Sequence, residues 1–137
     1  MATVPLVSDA DAGPEVAAVF ADIRATRGTD YVNNFWRALA ADPGQLGRVW
    51  AEVKLTMAAG GLDPLVKELV YVAVSTANGC SYCVHSHTTA ARTKGLTEAQ
   101  HGELLAVIAL AARTNHLATA LQVPVDPAFD VTERTAP

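Results

Sequence analysis

The stretch Leu65 to Ala77 constrains the fold more than any other. Asp63-Pro64 precedes it and Gly79 follows it, and it is apolar nearly all round except for Lys67, Glu68 and a few hydroxyls. Its four valines and Tyr71 would suit a buried strand. About a dozen residues is long for a strand, however, and an Asp cap with Pro in the first turn is a helix opening. The stretch is therefore read as a central buried helix. Glu68 is its only carboxylate, and an ionised group in such a run needs a compensating partner.

The flanking chain follows the same helical logic. Residues 1–10 read as an extended arm. From Pro14, the positions Val16, Val19, Phe20 and Ile23 recur at helical spacing up to a stop at Gly28. Asn33 caps a short segment through Phe35, Trp36 and Leu39. Asp42-Pro43 opens a helix whose Leu46, Val49, Trp50, Val53 and Met57 form one stripe, ending at Gly60-Gly61. After Gly79 a helix starts at Cys80 or Ser81 and runs to Lys94, with Gly95 at the stop. Thr97-Glu98-Ala99-Gln100 matches a capping box and opens a long helix to about Leu121, a kink near Asn115 being allowed. Pro124 and Pro127 then terminate regular structure. No hairpin chemistry, repeat or low-complexity linker is visible. The expected class is all-α, a compact bundle of about six to seven helices. A chain of 137 residues holds one core, so residues 1–137 are expected to form a single domain with a core of 30–122 and arms at 1–13 and 123–137.

Composition narrows the partners. Half the residues are hydrophobic and 18% are charged, which leaves apolar surface for a partner subunit and makes self-association the default. With a net charge of -4 and scattered Lys and Arg there is no basic field, so neither nucleic acid nor a membrane is expected as a partner. The N-terminus lacks the pattern of a signal peptide and no stretch reaches the length of a membrane span, so a cytoplasmic protein is expected. In that compartment a Cys-x-x-Cys pair is catalytic or metal-binding more often than a permanent staple.

Both cysteines and two of the four histidines fall between Cys80 and His87. On a helix, at about 100° per residue, Cys80, Cys83 and His87 share a face. Cys80 and Cys83, with Cα atoms roughly 5 Å apart, can form and break a disulfide with little backbone movement. A helix start lowers a cysteine's pKa and raises its thiolate fraction. This argument favours Cys80 as the nucleophile. His87, four residues after Cys83, can take a thiol proton or stabilise a thiolate, which favours Cys83 instead. Glu68, on the preceding helix, can be folded back over this face to orient His87 or pass a proton.

Plainer readings exist for each residue. The cysteines could be two small buried hydrophobes. Zinc is the sharper rival: Cys80, Cys83, His87 and either His85 or Glu68 are ligands of acceptable type, although three ligands on one helix make an awkward tetrahedron. Glu68 could be a structural carboxylate. His85 points away from the motif and reads as a boundary or solvent residue, and His101 and His116 as surface or subunit-contact residues. Tyr82, Trp36 and Trp50 read as packing or pocket walls.

The pattern Glu-x11-Cys-x2-Cys-x3-His, formed by Glu68, Cys80, Cys83 and His87, resembles the alkylhydroperoxidase D-like branch of the carboxymuconolactone decarboxylase-like superfamily, as does the downstream turn Lys94-Gly95-Leu96-Thr97. The resemblance implies an antioxidant thiol-dependent peroxidase in a small all-α fold that assembles as a trimer or hexamer. It also implies a hydrogen peroxide or small organic hydroperoxide substrate, a dithiol reductant, either a protein or a small dithiol, and neither cofactor nor metal. By the family pattern Cys83 is the peroxidatic thiol, Cys80 resolves its sulfenic acid, His87 is the base and Glu68 belongs to the proton relay. In one departure, Tyr82 stands where some members carry a relay histidine, and a phenol does not shuttle protons near neutral pH as an imidazole does. The superfamily also implies two alternatives: decarboxylation of a lactone acid, against which the cysteine pair argues, and a non-enzymatic role as redox sensor or thiol-disulfide partner.

Overall fold

The computed structural model describes residues 2–129. Among them the backbone forms six α-helices: α1 (Pro14–Arg27), α2 (Asn34–Leu39), α3 (Pro43–Met57), α4 (Pro64–Ala77), α5 (Ser81–Thr93) and α6 (Glu98–Ala120). A 3-10 turn at Pro127–Phe129 follows, and no strand occurs among the described residues. The all-α expectation holds. Of the arm expected over 123–137, residues 130–137 lie outside the described residues.

The helix starts are set by the caps the sequence offers. Asn33 accepts from the Trp36 N–H at 3.4 Å, Asp42 from Gln45 at 3.0 Å and Asp63 from Leu65 at 2.8 Å. Each cap satisfies an amide that the helix itself leaves unpaired. Thr97 and Gln100 close the capping box reciprocally. Two boundaries differ from expectation. Helix α3 stops at Met57, ahead of Gly60-Gly61, because Ala58 already turns extended (φ -60°, ψ 158°). Helix α6 runs through Asn115 without a break.

The chain divides into two compact units between Ala59 and Gly60. In the first, α1, α2 and α3 enclose Val16, Phe20, Ile23, Val32, Trp36, Ala40, Leu46 and Trp50. Trp36 and Trp50 meet edge to face at 5.2 Å, with the Arg27 guanidinium over both rings. Both tryptophans are thus packing residues. The N-terminal arm is tied down: the Val7 N–H donates to the Arg37 carbonyl at 3.0 Å, the Arg37 side chain donates to the Val7 carbonyl at 3.0 Å, and Asp9 pairs with Arg24 and Arg37.

In the second unit α4 packs along α5 and against α6. Its buried residues Glu68, Val72 and Ser75 form one stripe at i, i+4 and i+7. The opposite face is open, with Val66, Val70 and Val74 each 40–53% exposed. Helix α4 is thus buried along the side that faces α5 and α6, and its other apolar side is the kind of surface that the composition leaves for a partner subunit. Helix α6 buries no residue. Its exposed Val107, Leu110, Leu117 and Leu121 follow the spacing of a helix-packing stripe. Among the described residues, no helix is long and apolar enough to cross a membrane.

Candidate functional site

The site is built at the corner between α4 and α5. Gly79 takes a left-handed φ of 69°, which only glycine adopts at little cost. With it there, the Gly79 N–H reaches the Thr76 carbonyl at 3.1 Å and the Cys80 N–H reaches the Ser75 carbonyl at 2.9 Å. These two bonds are those of a Schellman stop, and they close α4. The next residue in the same geometry opens α5. Cys80 is the N-cap, its Sγ accepting the Cys83 N–H at 3.3 Å, and its carbonyl accepts the Val84 N–H at 3.0 Å.

Cys80 and Cys83 form a disulfide, with Cα atoms 5.4 Å apart, as the i, i+3 spacing allows. Both sulfurs belong to the cap and first turn of α5, where the unpaired amides and the helix dipole favour negative charge on sulfur once the bond is reduced. His87 lies one turn beyond Cys83 on the same helix.

The reversal at Gly79 folds α5 back along α4 and brings Glu68 to His87. His87 Nδ1 lies 2.7 Å from Glu68 Oε2, and Lys94 Nζ donates to Glu68 Oε1 at 2.8 Å. Glu68 is only 4% exposed. Burial alone would raise its pKa, but the hydrogen bonds from His87 and Lys94, with the Lys94 charge, outweigh burial and hold the carboxyl below its ordinary value. An ionised carboxylate can only accept, so His87 Nδ1 carries the hydrogen. In the neutral ring this leaves the lone pair on Nε2, where a base is required. The ring is also stacked on Tyr71, centroids 3.6 Å apart and planes 16° from parallel, which restricts its rotation.

Glu68 and His87 therefore meet, the cysteines are bonded to each other, and Cys83 stands one helical turn from His87. The other candidates are known here by their exposure. His85 and His116 are exposed, His101 is half-buried on α6, and Tyr82 is 43% exposed. Among the described residues no three of His, Cys, Asp and Glu gather as a metal site. Two site residues were missed in the sequence, Lys94 and Tyr71. Lys94 lies seven residues after His87, hence on the same helix face, and Tyr71 lies three after Glu68; these spacings were the available signal.

Comparisons with known proteins place the chain in a family. The carboxymuconolactone decarboxylase family model matches residues 44–126, more than half of the chain. A region of 93 residues is 38% identical to the alkyl hydroperoxide reductase AhpD of Solibacter usitatus, covering 67% of this chain and 50% of that protein. Another of 52 residues is 48% identical to the alkyl hydroperoxide reductase AhpD of Mycobacteroides abscessus, covering 38% and 30%. The chain thus spans half the length, or less, of these two curated relatives. The crystal structure of the alkylhydroperoxidase AhpD core from Rhodospirillum rubrum is 63% identical with a TM-score of 0.93, covering 96% of this chain and 98% of that one. By the family match, by these relatives and by the Glu68, Cys80, Cys83 and His87 pattern, the chain belongs to the carboxymuconolactone decarboxylase family, among its alkylhydroperoxidase D-like members.

Proposed function

We propose that the chain is a thiol-dependent peroxidase that reduces hydrogen peroxide or a small organic hydroperoxide through Cys83 and Cys80. The observation that carries this reading is the Cys80–Cys83 disulfide at the start of α5, one turn before a histidine whose Nδ1 is held by a buried carboxylate. In the reduced chain His87 takes the Cys83 proton at Nε2. The thiolate attacks one peroxide oxygen, the O–O bond breaks, and the alkoxide or hydroxide that leaves recovers the proton from His87. Cys83 is then a sulfenic acid. Cys80 attacks its sulfur, a disulfide forms and water departs, and an external dithiol, a protein or a small molecule, returns both cysteines to thiols while becoming a disulfide itself. Glu68 orients His87 and stabilises the imidazolium formed midway, as an aspartate does for the histidine of a serine-hydrolase triad.

The reading extends to the protein's setting. The open faces of α4 and α6 support assembly as a homo-oligomer, a trimer or hexamer, and a cycle closed by a dithiol suits the reducing cytoplasm. The deciding experiment is a peroxide-consumption assay with a dithiol donor. Catalytic consumption of peroxide is expected. Oxidation and reduction of the pair without turnover would identify a redox sensor or thiol-disulfide partner, and turnover of a lactone acid with the pair blocked would identify a decarboxylase.

A further inference from the structure

We infer that Lys94 is a positioning residue which, through Glu68, keeps His87 able to act as a base; this rests on the peroxidase reading above. The two oxygens of Glu68 are divided between two partners: Oε1 receives Lys94 Nζ at 2.8 Å and Oε2 faces His87 Nδ1 at 2.7 Å. Lys94 is not a side chain that swings freely at a helix end. Its backbone is the C-cap of α5, followed by Gly95 at φ 96°, whose N–H closes on the Arg92 carbonyl at 3.1 Å while the Leu96 N–H closes on Ala91 at 3.0 Å. The lysine thus leaves the helix on the same face as His87, aimed back at α4.

A buried carboxylate whose one partner is a histidine favours the imidazolium form of that ring, because the positive charge compensates the carboxylate. A histidine held as imidazolium cannot accept a thiol proton. With Lys94 present the carboxylate already has a positive partner, so a neutral imidazole leaves the trio without net charge and Nε2 with its lone pair. The charged and titratable groups that hold the Glu68 carboxyl down are these two residues of α5. Tyr71, on Glu68's own helix, covers one face of the imidazole and fixes the ring without adding charge.

The test compares the parent with Lys94→Met and Lys94→Arg in two measurements. The first follows the His87 ring nitrogens by NMR across pH in the oxidised protein, without any substrate. In Lys94→Met the ring should gain its proton about one pH unit higher than in the parent, and Lys94→Arg should behave as the parent does. The second follows the rate of peroxide reduction: its acid limb should move up by a similar interval in Lys94→Met, the rate recovering at higher pH. A lysine that merely stabilised the fold would lower the melting temperature of Lys94→Met and leave both midpoints in place, and that outcome overturns the inference. If no variant, the parent included, reduces peroxide, the peroxidase reading fails, while the NMR midpoints still decide whether Lys94 governs the protonation of His87.

Discussion

Glu68 and His87 are 19 residues apart in the chain and 2.7 Å apart in space, on two helices joined by a single tight corner. The contact orders one ring nitrogen and thereby assigns a task to the other. Whatever chemistry occurs at Cys83, the histidine one turn along approaches it with its tautomer already chosen.

The two cysteines are expected to be inequivalent. Cys83→Ser should abolish reaction with peroxide. Cys80→Ser should still consume roughly one equivalent and stop at a sulfenic acid that a dimedone-type reagent labels, visible by mass. The reverse pattern, single turnover in Cys83→Ser and none in Cys80→Ser, would assign the attack to the N-cap sulfur instead.

Glu68 should leave a signature in acid. Its carboxyl is held below the ordinary value in the folded chain, so its stabilising effect is complete above the unfolded-state value and fades as pH falls through the folded-state one. Glu68→Gln is therefore expected to lose about 2 kcal/mol at neutral pH. Urea titrations should show that gap to the parent narrowing in acid; a gap that is constant with pH would mean the carboxylate's charge contributes nothing.

Gly79→Ala should cost about 1 kcal/mol, since a Cβ is disfavoured at φ 69° even though nothing crowds the site. A larger effect is expected on the disulfide, because the same backbone angle aims Cys80. Thiol titration after mild peroxide should show slower loss of thiols than in the parent, and an unchanged rate would separate the turn from the redox pair.

Sedimentation at micromolar concentration should find an assembly rather than a monomer. Leu110→Glu, on the exposed stripe of α6, should weaken it by at least tenfold in dissociation constant while leaving the helical circular dichroism in place. A monomeric parent would require another explanation for the open apolar faces.

How far the sequence reached depended on how local each signal was. Asn33, Asp42, Asp63 and Thr97 cap amides three residues away or fewer, so the helix starts were legible without knowing the fold. Glu68 stood out because a carboxylate conflicts with the apolar run around it, and Cys80, Cys83 and His87 because their spacing places them on one helix face. Lys94 did not, because a lysine at a helix end is ordinary, and only the folded hairpin shows its ammonium turned onto a buried carboxylate. Tyr71 was hidden likewise, read as a strand-compatible apolar residue until His87 came to lie on it. Leftover apolar surface was legible in the composition, but which side of α4 carries it was not, since apolarity says that a face wants covering and not which face the same chain covers.

Cys80 ends one helix and begins the next, and this leaves the corner without a spare residue. One extra residue there would advance α5 by about 100° about its axis and carry His87 away from Glu68, and a deletion would do the same in the opposite sense. Loop-length variation should thus be forbidden at this corner, so that the interval from Glu68 to His87 behaves as a ruler of fixed length.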